Sequence, residues 1–270
     1  MIQLPTAYLA AETTEGLSNY QDVVNGKPTY ELRVASAKSE FRRRNVRRNA
    51  IFQSVRENLD SMCRGARRCM YCEDSVADEV EHYRPKDLYP EVVFAWENYL
   101  YSCGPCNGPK RNFFAIFADP GGGVVELARQ PGQPIAEPPY GHPLLIDPRN
   151  EDPLTLLRLD ILNTFLFQEA HAQGTDEYMR ANYTIRVLHL NDREYLRVAR
   201  ELAFAAFISM LRDYARGKTE GWGQVDLDRI ASAIRRMPHP TVWAEMKRQR
   251  AEVHGLGALF QVAPEALGWQ

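Results

Sequence analysis

Four cysteines constrain this chain more than any other feature. They form two pairs, Cys69-Met-Tyr-Cys72 and Cys103-Gly-Pro-Cys106, with Cys63 standing apart. In a reducing compartment two such pairs read as a tetrathiolate zinc site, because each tight knuckle supplies two of four tetrahedral ligands. A disulfide reading does not suit that compartment, and a thioredoxin-type redox motif needs only one pair. Cys63 reads as a small buried apolar residue. Residues 73 to 102 separate the knuckles, against about 15–20 residues in a plain zinc ribbon. Something is therefore inserted between them.

The rest of the chain fits a soluble globular protein. Its 270 residues are 44% hydrophobic and 25% charged, enough to bury a core in one or two domains. That composition excludes a disordered tail, a collagen-like fibre and a disulfide-stapled miniprotein. No apolar run reaches the ~18 residues of a transmembrane span. Met1 to Leu9 lacks the basic and apolar regions of a secretory signal, so a cytoplasmic location is expected.

The net charge of −2 hides an asymmetry. From Arg33 to Arg68 there are eleven basic and three acidic residues, a net of +8, which leaves −10 for the remainder. A cationic segment on an acidic protein points to a polyanion, although a charge run alone also fits a solvated helix face.

The insert carries Asp78-Glu-Val-Glu-His-Tyr-Arg-Pro-Lys86 and Phe94-Ala-Trp-Glu-Asn-Tyr-Leu-Tyr101, and the second knuckle continues as Asn107-Gly-Pro-Lys110. Val80, Tyr83, Val92 and Val93 have strand character, broken by Pro85 and Pro90. Asn107 is placed to cap a helix carrying Lys110 and Phe113. The outline is knuckle, strand, loop, second strand or helix, knuckle, short helix.

Glu81-His82, Trp96-Glu-Asn98 and Cys103-xx-Cys106-Asn107-xx-Lys110 resemble the ββα-metal motif of HNH endonucleases in its zinc-stapled form. The close resemblance runs from about Cys69 to Phe114. The wording Tyr71-Cys72-Glu73, Glu81-His-Tyr-Arg-Pro-Lys86 and Trp96-x-Asn98 is similar to a narrower branch. That branch contains HNH proteins of bacterial anti-phage systems, among them nuclease subunits of Septu and of some retrons, which work with an ATPase partner. Pro143-Leu-Leu-Ile-Asp-Pro148 and Leu188-His-Leu-Asn191 resemble its downstream half. The resemblance implies His82 as general base, Glu81 and Asn107 as ligands of a catalytic Mg²⁺ or Mn²⁺, and Asn98 orienting the His82 loop. Glu stands at position 81 where many HNH proteins carry Asp or His, and Asn107 replaces the last His.

The chemistry agrees with those residue types. Phosphodiester hydrolysis needs an activated water, a cation on the phosphate and help for the leaving oxygen. Histidine titrates near neutrality and suits proton abstraction. Hard oxygen donors suit Mg²⁺ or Mn²⁺ as Lewis acid and clamp. One geometric condition applies: neighbouring strand residues point to opposite faces. Glu81 and His82 then serve one site only where the strand is distorted or the ion lies at the sheet edge. Arg84, Lys86 and Lys110 are candidate phosphate contacts, Trp96 reads as core, and Glu79 faces either the site or solvent.

The flanks supply a scaffold. Lys38 to Met62 reads as one helix burying Phe52, Val55, Leu59 and Met62, with Arg44, Arg47, Arg48 and Arg56 free to track a nucleic-acid backbone. Residues 119–150, with Pro120-Gly-Gly-Gly123 and Pro131-Gly132, read as a loop-rich connector. Leu154 to Phe167 is apolar without clear period, and Tyr183 to Leu188 alternates weakly. Asn191-Asp-Arg-Glu194 resembles a capping arrangement opening a helix that buries Leu196, Ala199, Ala203, Phe207 and Met210 to about Arg216. Further helices are expected over Val225–Met237 and Val242–His254. His142, His189 and His239 read as structural. The expected organisation is an α+β fold: an N-terminal segment with a basic helix (1–68), a zinc-stapled ββα-metal core (69–118), the connector (119–150) and a helical region (151–270). The expected function is a metal-dependent endonuclease on DNA, acting with an ATPase or as a homo-oligomer. A non-catalytic zinc-stapled nucleic-acid-binding or adaptor protein is the alternative.

Overall fold

A computed structural model describes residues 1–119, 121, 123–127, 129 and 132–269. The protein is a mostly helical α+β fold with small antiparallel sheets. Three helices open it: α1 (Ala11–Asn25), α2 (Tyr30–Arg44) and α3 (Ala50–Ser61). The helix expected over Lys38 to Met62 is thus two. Asn49 interrupts it, because its side-chain oxygen accepts from Ile51 N at 3.0 Å and Phe52 N at 3.3 Å and starts α3 as an N-cap. The buried stripe is as the spacing implies: Phe52, Val55 and Leu59 are sealed and Met62 nearly so.

Strand β1 (Glu79–His82) pairs antiparallel with β2 (Tyr99–Ser102). Glu81 lies opposite Leu100 and His82 opposite Tyr99, with no bulge. Helix α4 (Gly104–Lys110) follows at once and packs on β1. Its N-cap is Cys103 rather than Asn107, and Pro105 sits in its first turn, where a missing N–H costs nothing. Arg111, at φ 40°, ends it. The knuckle-strand-strand-knuckle-helix order matches the expected outline, but Val92 and Val93, given strand character by sequence, lie in a 3-10 turn that begins at Pro90.

The connector is more ordered than its composition suggests. It provides β4 (Val124–Glu126) and β5 (Gly141–Pro143), which flank β3 (Ala115–Ala118) in an antiparallel sheet. Pro120, Gly122 and Pro131 lie outside the described residues. The apolar stretch 154–167 resolves into the hairpin β6 (Leu157–Leu159) and β7 (Phe167–Glu169).

The remaining chain is helical: α5 (Asp176–Val187), α6 (Glu194–Glu220), α7 (Gln224–Arg236), α8 (Pro240–Arg248) and α9 (Leu256–Val262). The weak alternation at 183–188 falls on α5, where Thr175 supplies the cap. The capping arrangement at 191–194 does not form: Asn191 instead bonds the backbone of Phe167 on both sides, and Arg193 is the uncapped N-cap of α6. That helix buries Leu196, Ala203 and Phe207 and runs on to Gly221, whose φ of 76° closes it. One contiguous apolar core joins the N-terminal helices, the β1–β2 hairpin and the C-terminal helices. No helix among the described residues is long and apolar enough to cross a membrane.

Asn49→Ala removes the cap of α3 and is expected to lower unfolding free energy by about 1 kcal/mol. Urea denaturation of the two proteins measures it.

Candidate functional site

The thiols come first, since everything else hangs on where they put β1 and α4. Cys69 and Cys72 lie in the turn before β1; Cys103 and Cys106 bracket the first turn of α4. All four Sγ atoms lie within 4.8 Å of one another and all four residues are buried, with no disulfide among them. Cys72 and Cys103 are 3.8 Å apart. A tetrahedral site with Zn–S of about 2.3 Å has sulfur–sulfur edges of about 3.8 Å. The donor set therefore fits structural zinc. Cys63 stays apart, half-buried, its thiol on the Leu59 and Arg68 carbonyls.

Groups distant in sequence brace this cluster. Arg193 Nη2 donates to Cys106 Sγ at 3.2 Å, a charge-assisted bond that stabilises thiolate. Glu73, next to Cys72, accepts from Thr241 N at 3.0 Å and Thr241 Oγ1 at 2.8 Å. Asp74 meets His239 Nε2 at 3.2 Å. None of these partners was legible in the sequence; Arg193 is 87 residues from Cys106 and belongs to no local pattern.

β1 keeps strict alternation, so its acidic residues and His82 part company. Glu79 and Glu81 face α4. Asn107 Nδ2 donates to Glu79 Oε2, and Lys110 Nζ donates to Glu81 Oε1 and to the His82 carbonyl, the latter at 2.8 Å. Asn107 and Lys110 are three residues apart on α4, so these two rungs are about 4.5 Å apart along its axis. Lys110 is fully buried. The expectation that it contacts phosphate is corrected: its ammonium is spent on an internal ion pair. Glu81 and Asn107 are neighbours on this face but do not bond each other, and Glu79, left undecided by sequence, takes the Asn107 amide.

His82 points the other way. His82 is 3% exposed, and its ring lies against Phe41 of α2 at 4.3 Å and Tyr99 at 5.3 Å between centroids. Its Nε2 bonds the Val93 carbonyl at 2.9 Å. That partner accepts only, so Nε2 carries the proton and Nδ1 keeps a lone pair. Among the described residues, the buried polar side-chain atoms without partners are Arg68 Nε, Tyr71 Oη, Tyr101 Oη, Arg180 Nε and Gln249 Oε1. Burial first, then the ammonium groups of Lys86 and Lys110, push the imidazole pKa down to about 3. The ring is therefore neutral at physiological pH.

Asn98 clamps the loop between the strands. Its Oδ1 accepts from Arg84 N at 2.7 Å; its Nδ2 donates to Arg84 O at 3.1 Å and Val92 O at 3.0 Å. The clamp holds both ends of the segment that follows His82 and leads to Val93. Beyond the loop lies a cleft of about 640 Å³ lined by Arg84, Asn98, Asp147, Glu151 and Arg180 among others; Glu81, His82 and Asn107 are not on its wall.

The basic candidates divide. Arg47 and Arg48 are exposed in the turn between α2 and α3. Arg44 is half-buried, stacked 3.6 Å over Tyr20 and paired with Glu40. Arg56 bonds the Val46 and Phe52 carbonyls and the Asn45 side chain, so it ties the α2–α3 turn rather than lining an outer face. Arg84 is half-buried over Tyr89 at 5.0 Å, and Lys86 lies 5.5 Å over Phe41.

Purified protein is expected to carry about one zinc ion per chain, and Cys72→Ser to lose it together with cooperative unfolding, since binding and folding of such sites are coupled. Metal analysis and thermal melts check both. Folding also expels the proton from His82. A histidine with a depressed folded pKa withdraws stability as pH falls below its unfolded value near 6.5. Between pH 6.5 and 5.5 wild type should lose about 1 kcal/mol more than His82→Leu in urea melts.

Comparison with known proteins gives a local match. The chain is 50% identical over 48 residues to the Septu protein PtuB of Bacillus thuringiensis, which covers 16% of this chain and 19% of that protein. The match thus spans about a fifth of the relative's length. No family model and no solved structure matches the chain.

Proposed function

We propose that this protein is a metal-dependent HNH endonuclease that hydrolyses DNA phosphodiester bonds with His82 as general base, acting in anti-phage defence with an ATPase partner. One observation carries the reading: His82 Nε2 is tied to the Val93 carbonyl inside a loop closed by Asn98. That bond fixes the tautomer a general base requires, with the proton on Nε2 and the lone pair on Nδ1. The low pKa, about 3, leaves the ring unprotonated at neutral pH but makes it a weaker proton acceptor than a free imidazole.

His82 and the carboxylates lie on opposite faces of β1, and in-line displacement tolerates this. The attacking water and the leaving oxygen sit on opposite sides of phosphorus, so base and cation need not share a face. His82 is the last residue of β1, and a phosphate straddling the strand end can meet both. Glu79, Glu81 and Asn107 are hard oxygen donors suited to Mg²⁺ or Mn²⁺. When bound there, a divalent ion supplies Lewis-acid stabilisation of the phosphate and leaving oxygen. Phe41 joins the ring of His82 to α2, whose last turn is Arg42-Arg-Arg44. Arg42, Arg43, Arg47 and Arg48 are exposed at that end of α2 and can grip a nucleic-acid backbone beside the helix that covers the ring. The defence role and the ATPase partner rest on the likeness to the Septu protein.

The depth of His82 favours a second reading, a non-catalytic zinc-stapled nucleic-acid-binding or adaptor protein. One experiment separates them. With Mg²⁺ or Mn²⁺, wild type is expected to cleave plasmid DNA, and His82→Ala to lose at least about a hundredfold in rate with zinc content and melting unchanged. Cleavage that survives the substitution removes His82 from the role; a wild type that binds DNA without cutting it supports the adaptor.

A further inference from the structure

The segment Leu188-His-Leu-Asn191 forms the turn between α5 and α6, far in sequence from the cysteines. Side chains hold its backbone at every residue. Asn191 bonds Phe167 N at 2.9 Å and Phe167 O at 2.8 Å. Buried Arg200 donates from Nη2 to the Leu190 carbonyl at 2.8 Å. Arg193 donates from Nε to the His189 carbonyl at 3.0 Å and from Nη2 to the Leu188 carbonyl at 3.1 Å. His189 sits at φ 50°, a left-handed conformation that a residue with a side chain keeps only when its surroundings enforce it. The guanidinium so fixed reaches the metal site, since the same Nη2 meets Cys106 Sγ at 3.2 Å. Arg193 is also the N-cap of α6, where a cation opposes the helix dipole. Its acceptors are two carbonyls, the Tyr195 hydroxyl at 3.3 Å and the sulfur. Of these only the sulfur carries charge when a metal is bound. The acids beside Cys72 do not compete for it: Glu73 bonds Thr241 and Asp74 bonds His239.

We propose that this turn is an outer shell of the zinc centre: it aims Arg193 at Cys106, and Arg193 slows zinc loss by drawing charge from that thiolate. Four thiolates on one dication keep a net negative charge. Zinc leaves such a centre once a sulfur is attacked by an electrophile. A charge-assisted N–H bond makes the sulfur that accepts it less nucleophilic. Cys106 is therefore the last of the four to yield. Arg193 is a positioning residue, and the turn acts through it. Retention of the metal then depends on a part of the chain 87 residues downstream. By linkage, bound zinc in turn stabilises the α5–α6 turn. Outer-shell partners of this kind change metal affinity by about 10–100-fold.

The test uses the full-length chain, loaded with zinc or with Co²⁺ as its spectroscopic stand-in. Arg193→Gln keeps an N–H donor without the charge. Its zinc affinity, read by competition with a chromophoric chelator, should fall about tenfold or more. Its thiolate-to-cobalt charge-transfer absorption should move to longer wavelength, because sulfur lone pairs without the guanidinium lie higher in energy. Asn191→Ala loosens the turn without touching sulfur. It should weaken zinc binding in the same direction, and the double variant should bind no more weakly than Arg193→Gln alone. A purely structural arginine lowers the melting temperature but leaves the absorption band and the zinc affinity of the folded protein in place; that result overturns the proposal. Losses that add in the double variant overturn the part given to the turn. If the substitutions unfold the chain, wild type decides. Alkylation of the zinc-loaded protein followed by peptide mapping should find Cys106 the last of the four thiolates to react, and early reaction there overturns the proposal.

Discussion

Four sulfurs brought within 4.8 Å set the geometry on which the rest depends. Each CxxC turn fixes one end of a short element: the first launches β1, the second opens α4. Neither element is long enough to hold its place alone, with four residues in the strand and seven in the helix. Their thiols, gathered as a zinc ion would gather them, put the acidic face of the strand against the helix. The same cluster reaches outward, through Arg193 to α6 and through Glu73 and Asp74 to the start of α8. The zinc-binding unit and the helical region are therefore braced against each other at the place where the thiolate charge needs compensation.

Two faces of one undistorted strand divide the labour. Toward α4 lie carboxylates, an amide and a buried ammonium; toward α2 lies an imidazole among aromatic rings. Period-two alternation makes the division unavoidable for adjacent residues. What prevents it from separating the groups is brevity. β1 ends at His82, so the two faces meet at one strand end.

The sequence was most legible where chemistry demands fixed spacing. The cysteine pairs, the strand bearing Glu81 and His82, and the apolar stripe of α3 each follow a local pattern with a physical reason. Legibility failed where a side chain had alternatives. Lys110 looks like any surface lysine until a strand 29 residues away supplies its carboxylate. Asn49 and Asn107 are the same residue type, each next to an apolar run, yet only Asn49 caps a helix; the thiolate turn had already begun α4 before Asn107. The connector's glycines and prolines hid two strands, because pairing with β3 is a tertiary event that composition does not record. Asn191 left its expected cap to bond Phe167, again a partner beyond the window of any local rule.

The packing of Phe41 against His82 has a mechanical consequence. The arginine-bearing end of α2 and the imidazole are in direct contact through one aromatic ring, Phe41. Displacing that end of α2 would therefore disturb the packing of the imidazole itself, without any loop having to close.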